Sequence, residues 1–324
     1  MATIKEISQL ADVSIATVSR VLNQDDTIVV SPEVRKRIFR IAHELKYVPP
    51  RRRHALKERG IVIGVADWHI IRKDRTNIRL SSLDLIVKSM SGKNDVRFER
   101  LDKNKPGQYD GIMAFGVFSE EEMEFLRMQS YAIVFINSDP KDYAYDSIVM
   151  DFNKGIHEML DYLMDRKKYC SVGYIGGLYE EGQVRIGYRR LEGIRATFKQ
   201  RGFYEEGNFY IGDISRESGY ELAKKAIQSS RLPEAVLLGS EEVAEGALEA
   251  FQDAGLRVPK DVAVVIYKDI ETLESKWPTY TKVRMFPDIV WQTAIKLLLE
   301  QTQEGRKDNM TIFLPTKLEV GDSA

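Results

Sequence analysis

The sequence predicts a small all-α head joined to a larger α/β body made of two lobes. Three observations carry that prediction. Residues 3–45 hold three helix-start signals in quick succession, and from Ile61 the pattern changes to short apolar strands alternating with amphipathic helices. Those strands also fall into two groups, each of about the hundred residues of a typical compact unit.

The first helix opens on Thr3-Ile4-Lys5-Glu6, a capping box in which a hydroxyl and a carboxylate three residues apart close the first turn. Ile4, Ile7, Leu10 and Ala11 then recur on one face and are expected to point inward. The second helix starts at Ser14, flanked by Val13 and Val18 at the two positions of a hydrophobic staple. Val18, Val21 and Leu22 face inward, leaving Ile15, Ala16, Ser19 and Arg20 outside. A third helix begins at Ser31-Pro32-Glu33, with proline at the favoured first position, and its inward set is Val34, Ile38, Ile41, Ala42 and Leu45. Three short helices with an outward arginine suit a helix-turn-helix head whose second helix lies in a DNA major groove.

Charge agrees with a polyanionic partner. The chain has a formal net charge of −1, yet residues 1–60 hold 12 Lys+Arg against 7 Asp+Glu, so a basic head precedes an acidic body. The densest run, Arg51-Arg52-Arg53-His54-Ala55-Leu56-Lys57, follows the head directly. Basic segments of this kind order on DNA phosphates, and an apolar side chain can wedge between base steps from the minor groove.

In the body the expected strands are 61–66, 96–101, 111–116 and 132–137, then 171–177, 235–240 and 262–267. Helical stretches are clearest at 153–165, 187–201, 241–254 and 287–303. Near-continuous apolar strands between helices mark parallel sheets covered on both faces, and ligands of such folds bind outside the carboxyl ends of the strands. No apolar run approaches the ~20 residues of a membrane span, and no signal-peptide pattern opens the chain, so a cytoplasmic protein is expected. The one cysteine, Cys170, precedes an apolar stretch and is expected to be a buried thiol. No Walker loop, G-x-S-x-G, metal-spaced Cys/His cluster or dinucleotide fingerprint is present, so neither an enzyme nor a cofactor is expected. Gly176-Gly177 is a weak echo of a phosphate loop.

The string VSIATVSRVLN, residues 13–23, resembles the N-terminus of the lactose/galactose repressor family. The resemblance continues through YDSIVMDFNKGIHEMLDYL, SVGYIGG, RRLEGIRATF, SGYELAKKAI and EGALEAFQDAGLRVPKDVAVV in the family's order. Coverage is essentially complete outside residues about 67–108, where the first lobe is shortened. SGYELAK, the short first lobe and FLPTKLEV look most like the evolved β-galactosidase operon branch of that family.

The resemblance implies a helix-turn-helix head over 1–48 and a hinge helix over 49–60. It implies a first lobe of 61–166 with 285–310 and a second of 167–284 with 311–324, in a periplasmic-binding-protein-like body. It implies a homodimeric sugar-responsive repressor on a pseudo-palindromic operator. Thr3, Ser14, Ile15, Ala16, Thr17, Ser19, Arg20, Asn23, Arg51, Arg53 and Leu56 would contact DNA, with Ile15, Ala16 and Arg20 on base edges and Leu56 as the wedge. Arg53 stands where the family has a small residue. Trp68, His69, Asp151, Arg190, Ser240, Glu241, Lys268, Asp269 and Trp277 would line the effector site, with a galactoside expected there ahead of other sugars.

Lys268 is an unusual residue at that place: it would tolerate a phosphorylated or acidic sugar, or it pairs with Glu241. Control by a partner protein, or a sugar-binding or sugar-modifying protein, are the competing functions. The chain stops four residues after Val320 without a leucine heptad, which argues against a C-terminal coiled coil.

Overall fold

The structure is a computed structural model, and it describes residues 3–23, 25, 27–47, 49, 61–68, 96–105, 107–138, 145–229, 232–268 and 279–324. The chain divides into two compact units, Met1–Val149 with Asp288–Ile312, and Met150–Pro287 with Phe313–Ala324.

The first unit begins with α1 (Ile4–Ala11), α2 (Ile15–Leu22) and α3 (Pro32–Glu44). Each starts as its sequence dictates. Glu6 N donates to Thr3 Oγ1 at 3.2 Å while Thr3 N donates to Glu6 Oε2 at 2.7 Å, closing the capping box. Ser14 and Ser31 accept from Thr17 N and Val34 N. Ile7, Ala11, Val18, Val21, Leu22, Ile38, Phe39, Ile41 and Ala42 form one buried cluster. Leu10, expected inward, is 62% exposed, because the αL turn at Asp12 follows at once and the opposite face of α1 meets α2 and α3.

The rest of that unit is a sheet in the order β12 (Thr311–Pro315), β5 (Asp146–Asp151), β4 (Ile133–Ile136), β3 (Gly111–Phe115), β1 (Ile61–Ala66) and β2 (Val96–Arg100). β2, β1, β3, β4 and β5 run parallel, with β1 between β2 and β3. Helices α4 (Glu120–Gln129) and, further along the chain, α9 (Pro287–Leu299) belong to this unit apart from Pro287. The buried Trp291 packs its ring 5.2 Å from Phe115.

The second unit repeats the plan. β6 (Val172–Glu181) lies between β8 (Phe209–Asp213) and β9 (Ala235–Leu238), followed by β10 (Ala263–Lys268) and β11 (Lys282–Arg284), all parallel. β7 (Val184–Ile186) folds back on β6, and β13 (Lys317–Glu319) closes the edge antiparallel to β11. The helices are α5 (Phe152–Leu160), α6 (Tyr188–Gln200), α7 (Arg216–Gln228) and α8 (Glu241–Asp253). In both sheets the strand order reverses beside the first strand, which is where open α/β sheets place their ligands.

The division between units differs from the boundary at 166/167 in that it falls at Val149–Met150, because α5 packs on α6, β11 and β13 of the second unit. Cys170 is exposed, not buried: the strand starts at Val172, and Cys170 sits in the preceding turn with its N–H on Glu234.

The head is not a separate body. Its core continues onto Met128 and Tyr131, at and just beyond the end of α4. Tyr131 Oη donates to Leu22 O at 3.1 Å, and Phe39 and Tyr131 lie 6.5 Å apart between ring centroids. His43 sits 5.4 Å from the Tyr145 ring, with Nε2 3.1 Å from Ser130 O. Lys46 Nζ donates to Asn309 Oδ1 at 2.5 Å and to Lys307 O. Desolvation lowers the His43 pKa to about 4; the bond to Ser130 opposes this, while the Arg127 and Lys46 charges add to it.

Protonation of His43 thus opposes this packing, and the packing is undisturbed above about pH 6.5, the ordinary value for histidine. His43→Phe keeps the ring contact but removes the titration. At pH 7 wild type is expected to melt above the variant, since the variant leaves Ser130 O without its donor. As pH falls from 6.5 towards 4 that gap narrows in thermal melts of the full chain. A gap constant with pH would place the imidazole in contact with water.

Candidate functional site

Two groups of side chains could recognise partners, one in each unit. In the head, the outer face of α2 is open. Ile15 is 46% exposed, Ala16 and Arg20 are exposed and Ser19 is half-buried, while Val18, Val21 and Leu22 are inside. Ser14 and Thr17 spend hydroxyls on each other, 2.8 Å apart, at the start of α2. Thr3 is spent on its own cap, and Asn23 Nδ2 donates to Ser19 O at 2.7 Å. Apolar and polar atoms thus alternate on an exposed helical edge narrow enough for a major groove.

Arg20 is the one outward cation of α2, and it is held. Its Nε donates to Asp25 Oδ2 at 2.8 Å and its Nη2 to Thr27 Oγ1 at 2.5 Å. A cleft of about 450 Å³ lies beside it, lined by Ile4, Ser19, Leu22, Asn23, Tyr47 and Pro49 among others. Arg51, Arg53 and Leu56 lie outside the described residues.

In the second unit the site forms at the carboxyl ends of the strands. Arg190, in the first turn of α6, is 8% exposed, and its guanidinium carbon lies 4.8 Å from the centre of the Tyr267 ring. A cation on an aromatic face in a desolvated place is a stabilising pair, and the planar guanidinium is a fork of donors suited to paired oxygens. Phe152 packs on Tyr267 with centroids 5.7 Å apart, and Asp151 beside it caps α5 by accepting from Asn153 N at 3.0 Å. Ser240 is the N-cap of α8, accepting from Val243 N at 3.3 Å, and the buried Glu241 is that helix's first residue.

Lys268 ends β10 beside Tyr267 and is half-buried. Burial holds its ammonium below the usual lysine range; the Glu241 carboxylate opposes that shift, and Lys282 and Arg284 reinforce it. Those two cations have their own partner, since Glu319 lies 3.3 Å from Lys282 Nζ and 2.8 Å from Arg284 Nη1.

Of the effector residues expected from sequence, Arg190, Ser240, Glu241 and Lys268 therefore fall at one end of the second unit's sheet, and Asp151, which ends β5 of the first sheet, adjoins them through Phe152 on Tyr267. Trp68 is in the first unit, with Nε1 donating to Leu101 O at 2.8 Å and its ring on Phe118 and Phe125. That packing makes it part of the lobe's apolar cluster. His69, Asp269 and Trp277 lie outside the described residues. Sequence reasoning missed Tyr267 and Phe152, whose only signal is an aromatic beside a polar strand end. It also missed Asp67, fully buried after β1, with Arg100 Nε 3.0 Å from its Oδ1.

Gly176-Gly177 is not shaped as an anion loop. A Cβ on Gly177 would overlap the Asp213–Ile214 backbone, and one on Gly176 would overlap the Tyr174 hydroxyl, so the missing side chains serve close packing. Among the described residues, no group of three or more His, Cys, Asp or Glu could hold a metal ion, and no helix is long and apolar enough to cross a membrane. Gly177→Ala is expected to lower the unfolding midpoint by an overpacking cost of about 1–3 kcal/mol. An unchanged melt would mean the strand ends can part, and would reopen the loop as a ligand cradle.

Residues 3–50 match the family described as bacterial regulatory proteins, lacI family, and residues 160–324 match the periplasmic binding protein-like domain. The chain is 34% identical to the HTH-type transcriptional repressor MelR of Bacillus subtilis (strain 168), over 100% of this chain and 97% of the relative. It is 28% identical to the HTH-type transcriptional regulator GalR of Streptococcus thermophilus, over 100% and 99%. Among solved structures, a transcriptional regulator CelR–cellobiose complex aligns with a TM-score of 0.64 at 20% identity, covering 100% of both chains. The lac repressor dimer bound to operator and the anti-inducer ONPF aligns with a TM-score of 0.59 at 20% identity, covering 99% and 98%. At such identity these structures speak to the fold.

Proposed function

The chain belongs to the lacI family of bacterial regulatory proteins, and from that membership we propose that it represses a carbohydrate-utilisation operon as a homodimer whose operator affinity is set by a sugar. The observation that carries this is the pairing of an open α2 edge in the head with a buried arginine-on-tyrosine site at the strand ends of the second unit. The relatives are named as transcriptional regulators, and a non-enzymatic, cytoplasmic role follows from that reading. Twofold symmetry of the protein would match a pseudo-palindromic operator.

Ile15, Ala16 and Arg20 read base edges in this proposal, and Thr17 and Ser19 lie against the phosphates. Asp151, Arg190, Ser240, Glu241 and Lys268 line the effector site, with Tyr267 and Phe152 as its apolar wall. The site carries cations, Arg190 and Lys268, and carboxylates, Asp151 and Glu241, of which Glu241 acts on Lys268. Donors and acceptors side by side suit the hydroxyls of a sugar, a galactoside first.

The test is fluorescence-anisotropy binding of the full chain to the DNA upstream of its gene, with galactosides, glucosides and sugar phosphates added in turn. Tight, salt-dependent binding that one sugar alters supports the proposal and names the effector. Binding that no sugar alters would move the signal to a partner protein, and no specific binding under any condition would sink it. Arg190→Met, which keeps packing on Tyr267 but removes the donors, should weaken the sugar's effect at least about tenfold while sugar-free operator binding stays as in wild type. Equal sugar response in that variant would remove Arg190 from the site.

A further inference from the structure

The loop after α2 carries an arrangement that the repressor reading alone does not account for. Arg20 Nε donates to Asp25 Oδ2 at 2.8 Å, and Arg20 Nη2 to Thr27 Oγ1 at 2.5 Å. The Thr27 hydroxyl then donates to Asp25 Oδ1 at 2.6 Å, and Thr27 N donates to the same oxygen at 2.9 Å. The loop is itself tied to the helix end, because Asp25 N donates to Arg20 O at 2.9 Å. Guanidinium, hydroxyl and carboxylate thus close a ring of hydrogen bonds on the surface of the head.

A guanidinium has five N–H donors in a fixed plane. The ring uses the edge formed by Nε and Nη2. Among the described residues it leaves both hydrogens of Nη1 and the second of Nη2, and one from each nitrogen forms the end-on edge. That edge offers two parallel N–H groups, the pattern that the O6 and N7 acceptors of guanine take in the major groove. An unrestrained arginine would lose several rotatable bonds on binding, whereas one held at its other edge has already lost them.

The placement of the carboxylate argues the same way. Asp25 is about one-third exposed beside the helix edge proposed to face DNA, where phosphates repel it. Its partners hold it ionised: the Thr27 hydroxyl first, then Arg20, then the Thr27 backbone keep its carboxyl well below the usual range. A permanent negative charge there weakens DNA binding in general unless it improves a particular contact.

We propose that Asp25 and Thr27 are positioning residues for operator readout, holding Arg20 so that its free edge is presented to a guanine and setting selectivity at one base pair of each half-site. The inference rests on the proposed role of Arg20 and goes beyond it by assigning specificity to two residues that do not read DNA themselves.

The test is selection of binding sites from a random duplex library with the full-length wild-type chain. Affinities of the variants are then measured on the selected operator and on operators changed at each position in turn. Arg20→Ala should abolish the preference for guanine at one position. Asp25→Ala should reduce that same preference about tenfold and leave the other positions within about twofold. Thr27→Val should act at the same pair with a smaller loss, and Thr27→Ser, which restores the hydroxyl, should recover wild-type selectivity. Asp25→Ala in the Arg20→Ala background should lower selectivity no further, since the two act through one contact.

A merely structural role for Asp25 would lower the melting temperature of the full chain and weaken every operator alike. Simple charge relief would strengthen every operator alike. Either result, with the preference at that pair intact, overturns this proposal while leaving Arg20 as a reader. An Arg20→Ala variant of unchanged preference overturns both roles, and a wild-type chain that enriches no site overturns the repressor reading itself.

Discussion

One buried carboxylate ties the head-bearing unit to the strands by which the chain leaves it. Asp146, fully buried at the start of β5, accepts from Gln301 Nε2 at 2.6 Å, from Arg306 through both terminal nitrogens, and from Met310 N at 2.8 Å. Arg306 in turn holds Glu300 at 2.9 Å. The end of α9, the loop after it and the residue before β12 are thereby fixed to β5. Removing one member of such a pair strands a buried charge and typically costs about 3–5 kcal/mol, far more than an exposed ion pair contributes. Two of the three places where the chain passes between units, Val149–Met150 and Ile312–Phe313, lie a few residues from this knot.

The head shares that anchorage. Lys46 reaches Asn309 and Lys307, inside the loop that Arg306 and Asp146 organise, while Phe39 and His43 pack on Tyr131 and Tyr145. All of these contacts use α3 and the turn that follows it, joined by Leu22 at the end of α2. The outer edge of α2 is left open, so packing against the lobe and the proposed DNA contact draw on opposite sides of the same small core. Within that edge the Asp25–Thr27 ring restrains Arg20, and rigid donors discriminate between bases better than mobile ones because a misplaced acceptor leaves them unpaired.

Features set by neighbours in sequence were legible, and features set by distant partners were not. The caps at Thr3, Ser14 and Ser31 and seven of the parallel strands follow from local hydroxyls, prolines and apolar runs and form where expected, whereas β5, β8 and β11, bounded by or rich in polar residues, are strands the sequence reading did not anticipate. Phe39 was missed as a core residue because its partner, Tyr131, is remote in sequence and only the fold brings them together. Leu10 misled because periodicity marks a face without saying whether anything covers all of it. Cys170 misled because a strand's apolar run does not say where the strand begins. In the candidate site, Arg190 is singled out by a family motif and not by its chemistry, and its burial is not legible, since an arginine in a basic cluster is ordinarily exposed. Tyr267, which lies against the Arg190 guanidinium, carries only the weak signal of an aromatic beside a polar strand end.

The size of the head's contacts bounds what they can transmit. Coupling between an effector and an operator requires an element with two arrangements that both ligands bias, and the same factor must act in both directions. The head is held by the bonds from Tyr131 to Leu22, between His43 and Ser130, and from Lys46 to Asn309 and Lys307, together with two aromatic contacts and the packing of Met128 and Tyr131 on its core. Each such bond contributes about 0.5–1.5 kcal/mol net, and each ring contact about as much. Loss of one or two of them shifts an equilibrium by about 1–3 kcal/mol, which is the range of ordinary allosteric coupling. Loss of the Asp146 knot would cost more than that range and would threaten the unit's folding. Among the described residues, the docking contacts are thus weak enough to carry a reversible signal to the head, whereas the buried carboxylate is not.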